Sequence, residues 1–357
     1  MKMKTSRIIA TIAASFFIGG TLHAQAWKAK AISDMKKGDF AKVEQTISKF
    51  SQEEQNKHAW LIDSLQAMMS RIRDDFRLSR EEGKKLLLEK VPGATDKQIE
   101  AWKQKKYLET RMIDGEERWF RKTISNFALL NKDVYPTEIV QGKKKEYAKV
   151  HPMCEHILTQ KLEENNTCDW KKVNATFYIE VPADAVPAGE TIKAWLPYPF
   201  DNGRQRNFQL LSSSSQATHS SGSLHHTVYM EQKAVKGQPT RFEMKFSYEV
   251  GAQVFHQADI LKNLKPYNKQ SDLYKKFTAQ ELPHMLVNKQ MKTLAQKIVG
   301  AETNPVLQAS LIYDWISANY PWAGAIDYST IPCIPQYVLD INHGDCGQVT
   351  LLYISML

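Results

Sequence analysis

Apolar positions recur at three- and four-residue intervals through much of the first hundred residues. Phe40, Val43, Ile47 and Phe50 mark one stripe, and Trp60, Leu61, Leu65, Met68, Met69 and Ile72 continue the period. That spacing predicts amphipathic helices, each with one face turned to a core and mixed charge outside. Two more helices are predicted over Arg80 to Lys90 and Asp96 to Leu108. Val91-Pro92-Gly93 breaks the pair, and Thr95 or Asp96 stands as N-cap of the second. Asp114-Gly115 then separates two short runs as a hairpin turn.

The period changes to two between about Trp170 and His256. Val173 to Val181, Thr191 to Pro197, His226 to Met230 and Arg241 to Val250 alternate as strands. Short strands separated by Pro, Gly and Ser turns predict a β-sandwich. The serine run Ser212 to Ser215 and the stretch Thr218 to Ser223 read as loop inserts, with His219, His225 and His226 exposed. Helices return after Pro266: Leu286 to Val299 is amphipathic, and Asn304-Pro305 is an N-cap with proline at the first helical position. The helix so started runs to Tyr320 and is ended by Pro321. Trp322 to Ile341 reads as a proline-containing loop.

Composition adds a compartment. Lys2, Lys4 and Arg7 precede a mostly apolar stretch from Ile8 to Leu22, and Ala24-Gln25-Ala26 is a small-x-small cleavage site. Residues 1–26 therefore read as a secretory signal peptide. The apolar stretch is too short, and too interrupted by Gly19, Gly20 and Thr21, for a membrane span. Export to the periplasm or beyond, with cleavage near Ala26, is the expectation. The formal net charge of +9 is spread over scattered lysines such as Lys103, Lys105 and Lys106 or Lys143 to Lys145. Such lysines mark solvated faces and not a nucleic-acid groove. Two helices and a hairpin in this order superficially resemble a winged helix-turn-helix, but the signal peptide argues against DNA as a partner. Of four cysteines, Cys154 and Cys168 flank a short polar segment where an oxidising compartment would allow a disulfide. Cys154, His156 and Cys168 match no standard zinc spacing, and neither metal nor cofactor is expected.

The chemistry lies in His343-Gly344-Asp345-Cys346-Gly347-Gln348-Val349-Thr350, which runs into the apolar segment Leu351 to Leu357. A cysteine is predicted at the start of a buried helix, whose N-terminus favours the thiolate, the nucleophilic form. Gly344 and Gly347 allow a tight entry turn and close approach of a substrate carbonyl to the backbone. The Cys346 amide would then face a developing oxyanion, with Tyr320 or Trp322 as a side-chain donor. His343, three residues before the cysteine, is placed for solvent or a backbone contact and not for an in-line bond to sulfur. Asp345 reads as a cap or turn residue and not as a catalytic one.

Gly344-Asp345-Cys346-Gly347-Gln348, preceded by the helix Ile312-Tyr313-Asp314-Trp315-Ile316-Ser317-Ala318-Asn319-Tyr320, resembles the transglutaminase-like superfamily. The resemblance covers Asn304 to Leu357, and the preceding β-sandwich resembles the N-terminal module of many bacterial members. It implies a papain-like arrangement in which Cys346 is acylated by an amide, a histidine is the base and an aspartate orients it. Family members carry that His and Asp on strands after the cysteine helix, beyond Leu357 in this numbering, so the chain alone is expected to be inactive. His256 and His284 are the remaining in-chain histidines to consider, and nothing around them marks a base.

The expected fold class is α+β. A signal peptide (1–26) precedes a mainly helical region (27–165), a β-sandwich (166–265) and the first part of a papain-like transglutaminase core (266–357). The expected function is an exported cysteine enzyme acting on peptide or amide bonds, by hydrolysis or acyl transfer. Its partner would be a peptide or protein, with no nucleic acid and no membrane span. The alternative is a non-catalytic cell-envelope binding or scaffold protein with a vestigial cysteine domain, Trp170, Trp195, Tyr198 and Phe200 lining its surface.

Overall fold

The computed structural model describes residues 27–132, 134, 152–220 and 226–357. The chain is α+β, its helices and antiparallel sheets falling into two units. The first takes in the described residues up to 134 together with Tyr267–Leu357, and the second those of Gly142–Pro266. The signal-peptide residues, His225 and Lys143 to Lys145 lie outside the described residues.

In the first unit, helical residues 27–37 (α1), α2 (Phe40–Ser48), α3 (Gln52–Lys57) and α4 (Ala59–Asp75) bury most of the periodic stripe anticipated above, but Trp60, at the start of α4, is exposed. Phe40, Val43, Ile62, Leu65, Met69 and Ile72 meet Ala31, Phe76 and Phe120 in one cluster. Ser51 caps α3 with a reciprocal box to Glu54, satisfying amides that a helix start leaves without partners. The same cluster includes Ile326, Ile331 and Ile334, so the last part of the chain completes a core begun by the first. Contacts of that range are invisible to local periodicity.

Next come β1 (Leu78–Ser79), α5 (Arg80–Lys90), α6 (Asp96–Gln104), β2 (Thr110–Ile113), β3 (Glu116–Trp119) and α7 (Thr123–Leu130). Thr95 is the N-cap of α6, in a capping box with Gln98. The sheet order is β1-β3-β2: β2 and β3 are the expected hairpin, and β1 is a strand the sequence did not suggest. Asp114 and Gly115 take φ +50° and +84°, the two left-handed residues that a two-residue hairpin turn requires. The wing tip is held by the chain itself. The Asp114 amide donates to Gly38 O at 2.8 Å, its carboxylate accepts from the Ala41 amide at 2.7 Å, and Arg73 lies 3.6 Å away.

The second unit contains α8 (Pro152–Leu158), then β4 (Thr167–Val181), β5 (Thr191–Pro197), β6 (Gln205–Ser213), β7 (Ala217–Ser220), β8 (Thr227–Lys233), β9 (Thr240–Gln253) and α9 (Gln257–Lys262). Two antiparallel sheets, β4-β9-β6 and β5-β8-β7, share a core. Phe242, Met244 and Phe246 alternate inward from β9 to meet Leu196, Val228 and Met230 of the other sheet, the arrangement of a sandwich. Of the stretches expected to be loops, Ser212 and Ser213 end β6 and Thr218 to Ser220 lie in β7, whereas Ser214 and Ser215 lie outside the strands and 221–223 outside the described residues. Both strands sit at sheet edges, where a strand needs little apolar character because one side faces water. Cys168 is buried, its thiol 3.8 Å from Ile157 O, and all four cysteines are free.

From Tyr267 the chain forms α10 (Asp272–Phe277), α11 (Lys289–Val299), α12 (Pro305–Asn319), α13 (Ile334–Ile341) and α14 (Cys346–Met356). Met291, Ile312, Ile316, Val338, Leu339, Leu352 and Met356 bury a second core among α11 to α14. Helix α13 corrects the expectation of a loop over Trp322 to Ile341. Pro335 lies in its first turn, where a missing N–H costs nothing, and Ile334, Val338 and Leu339 bury one face. No helix among the described residues is long and apolar enough to cross a membrane.

Candidate active site

The elements around the cysteine are set by local chemistry first. Asn304 caps α12 through Oδ1, which accepts from Val306 N and Leu307 N at 3.0 and 3.3 Å, and α12 gives way at Tyr320 before Pro321. The chain then runs beside the cysteine loop: Trp322 pairs with Gly344, and Ala323 N donates to Gly344 O at 3.0 Å. On the other side α13 ends at Asn342, which takes the left-handed conformation. His343 follows, then Gly344, Asp345 and the first turn of α14.

Asp345 is the N-cap of α14. Its Oδ1 accepts from Gln348 N at 3.0 Å, and Gln348 Oε1 accepts from Asp345 N at 3.2 Å, a capping box that fixes the first turn. Cys346 is the first helical residue and its side chain is exposed, so a buried inert thiol is not what this cysteine is. The amides of Cys346 and Gly347 lie in the turn where an α-helix has no intrahelical acceptor. Cys346 opens into a cleft of about 510 Å³ that Tyr320 and Trp322 line, together with Tyr313, Ile316, Val349 and Tyr353. Both residues named as oxyanion donors therefore share the cleft with the sulfur. Trp322 is 57% exposed. Burial raises the Tyr320 hydroxyl above its ordinary value, which keeps it a protonated donor.

The glycines do something other than the sequence suggested. Neither has a left-handed backbone. A Cβ on Gly347 would press into the Tyr328 ring and hydroxyl, with ring carbons at 3.2 Å, and one on Gly344 would meet Gln348 and Val349 at 3.1 to 3.3 Å. The Tyr328 hydroxyl donates to Asp345 Oδ1, so Gly347 makes room for a tyrosine that braces the N-cap. Burial and the Asp345 carboxylate push the Tyr328 phenol well above its ordinary value, holding it as a donor. Sequence reasoning missed Tyr328, Tyr313 and Tyr353. The one signal for Tyr328 was a glycine inside a helix, a residue costly there unless something needs its space.

Among the described residues, no histidine joins the cleft. His343 is buried, with Nδ1 2.8 Å from Ile341 O. A carbonyl only accepts, so Nδ1 carries the proton, and burial lowers the imidazole to about 4. Its role is the backbone contact anticipated from its position. His284 Nδ1 is 3.0 Å from Ile331 O and braces the loop before α13. His256 is the N-cap of α9 in the other unit. Among the described residues, no three or more His, Cys, Asp or Glu side chains are grouped to hold a metal ion.

Gly347→Ala is expected to destabilise the protein by about 2 kcal/mol, the cost of overpacking a filled site. In a Tyr328→Phe background the same change should cost less than half as much, because the displaced hydroxyl is already gone. Urea unfolding of the four proteins gives this coupling, and simple additivity would show that the tyrosine and glycine do not share the space.

No known family profile matches the chain, and no curated protein matches it. Among solved structures, the crystal structure of a candidate cysteine protease from Cytophaga hutchinsonii is 16% identical, with a TM-score of 0.37. The match covers 53% of this chain and 64% of that one, less than two thirds of its length. A likeness at that level fixes neither fold nor chemistry.

Proposed function

We propose that Cys346 is the nucleophile of an exported cysteine enzyme that acts on peptide or amide bonds, by hydrolysis or by acyl transfer to an amine. One observation carries the reading: an exposed thiol at the first position of a capped helix, opening into a cleft with aromatic walls. The thiolate attacks an amide carbonyl, and the tetrahedral oxyanion is met by first-turn amides with Tyr320 or Trp322. Collapse breaks the C–N bond as a base delivers a proton to the leaving amine. Water or a second amine then cleaves the thioester and returns the thiol. Among the described residues no histidine lines the cleft, so none of its described walls supplies an imidazole base. In the transglutaminase-like enzymes that Gly344 to Gln348 resembles, a histidine is the base and an aspartate orients it.

Alkylation tests the nucleophile without the base. Iodoacetamide at neutral pH, with sites quantified by mass spectrometry, should modify Cys346 about tenfold faster than exposed Cys154 or half-buried Cys333. Cys154 controls for exposure. Equal rates at Cys154 and Cys346 would remove the case for an activated nucleophile.

A further inference from the structure

A second cleft lies wholly within the sandwich unit and takes no part in the cysteine chemistry. It has a volume of about 680 Å³, and its walls carry Tyr198, Phe200, Phe208, His219, His226 and Asp201. The rings are organised by each other. Phe200 and His226 stack at 4.2 Å with 8° between planes. Tyr198 meets Phe208 at 6.1 Å and His219 at 5.0 Å, edge to face. Phe208 is 41% exposed. Among the described residues, Asp201 is the one carboxylate on the wall, and neither lysine nor arginine lines it. The carboxylate is exposed and accepts from Gly203 N at 3.3 Å.

Two features of the unit indicate the charge of a ligand. A pocket whose walls carry several aromatic rings and a carboxylate, with Pro199, Leu210 and Thr227 between them, offers electron-rich groups to a ligand, and ring faces attract cations through their quadrupole. Elsewhere in the same unit, ring faces are met by the chain's own guanidinium groups: Arg206 lies 3.8 Å from the Trp170 ring centre and Arg241 3.6 Å from that of Tyr178. Among the described residues, no cation of the chain lies over the rings of the cleft.

We propose that this cleft binds an organic cation, either a free quaternary ammonium compound or the lysine or arginine side chain of a peptide. Aromatic faces supply the attraction and Asp201 the counter-charge. The pocket volume is in the range that accommodates small ligands, and binding requires nothing from Cys346.

Titration calorimetry on the full chain, supported by saturation-transfer NMR of ligand protons, decides it. The probes are choline, N-acetyl-lysine methylamide and N-acetyl-arginine methylamide, against 3,3-dimethylbutanol as the neutral isostere of choline. At least one cation should bind saturably, with 3,3-dimethylbutanol about tenfold weaker than choline if choline is bound. A choline preference identifies a free amine as the ligand, and a preference for either amino-acid amide identifies a peptide. Phe208→Leu keeps apolar bulk but removes the ring, and Asp201→Asn removes an exposed charge. Each should weaken binding about tenfold. Equal binding of choline and the neutral isostere, no saturable binding of any cation, or unchanged affinity in both variants would each overturn the proposal.

Discussion

Glu109→Gln is expected to stabilise the protein above pH 7 by about 2–3 kcal/mol and to remove a fall in stability between pH 4.5 and 7. Desolvation raises the Glu109 carboxyl from 4.5 to about 7, against the lowering effect of the Tyr337 hydroxyl bonded to it. The groups facing it are Tyr337 from α13, Asp75 from the end of α4, Arg111 from β2 and Lys106. Burial lowers the Arg111 guanidinium, and burial with Glu109 beside it raises the Tyr337 phenol. Below pH 4.5 the carboxyl is protonated in both folded and unfolded chains, and its contribution to stability is complete. Between 4.5 and 7 the unfolded chain gives up its proton first, so stability is lost as the pH rises through the folded value. Above 7 both states are ionised and the loss is constant. Glutamine keeps an acceptor for Tyr337 without the titration. Urea unfolding of both proteins from pH 4 to 8 provides the check, and parallel pH profiles would show that Glu109 titrates normally. Tyr337 lies on the helix that leads into His343 and Cys346, so this contact ties the hairpin region to the segment that presents the thiol.

Gly38→Ala is expected to cost about 3–4 kcal/mol. Gly38 joins α1 to α2 with φ +88°, and a Cβ there would collide with the Met112 carbonyl. The obstruction is backbone and cannot swing aside. Left-handed strain of about 1–3 kcal/mol adds to an overpacking cost of similar size. The same glycine's carbonyl receives the Asp114 amide, so the substitution should also loosen the hairpin tip. Hydrogen exchange would report this as lost protection at the Asp114 amide. A thermal midpoint within a degree or two of the parent would mean that the hairpin moves without cost.

What the sequence disclosed was what neighbouring residues decide. The stripes of α2 and α4, the caps at Thr95, Asn304 and Asp345, the Asp114-Gly115 turn and the alternation of β9 all follow from periods and caps within a few residues. The cleft walls Tyr320 and Trp322 were legible because Pro321 ends α12 beside the cysteine loop. Helix α13 was hidden by Pro335, which reads as a breaker unless it falls in the first turn. Strands β6 and β7 were hidden by serines that a sheet edge tolerates. Tyr328 was hidden because its partner is Asp345, reached through a loop and a helix. The two glycines beside Cys346 were visible, but a missing side chain does not reveal whether its space holds a substrate or a tyrosine.

The sharing of Ile326, Ile331 and Ile334 with Phe40 and Val43 has a consequence in time. During synthesis the first helices emerge with part of their core still unmade, and their apolar stripes stay open until Ile326, Ile331 and Ile334 arrive. The intervening sandwich has all of its own strands much sooner. The order of assembly should therefore run from the middle of the chain outward, with closure of the N-terminal helices over the cysteine-bearing end as the late, long-range event.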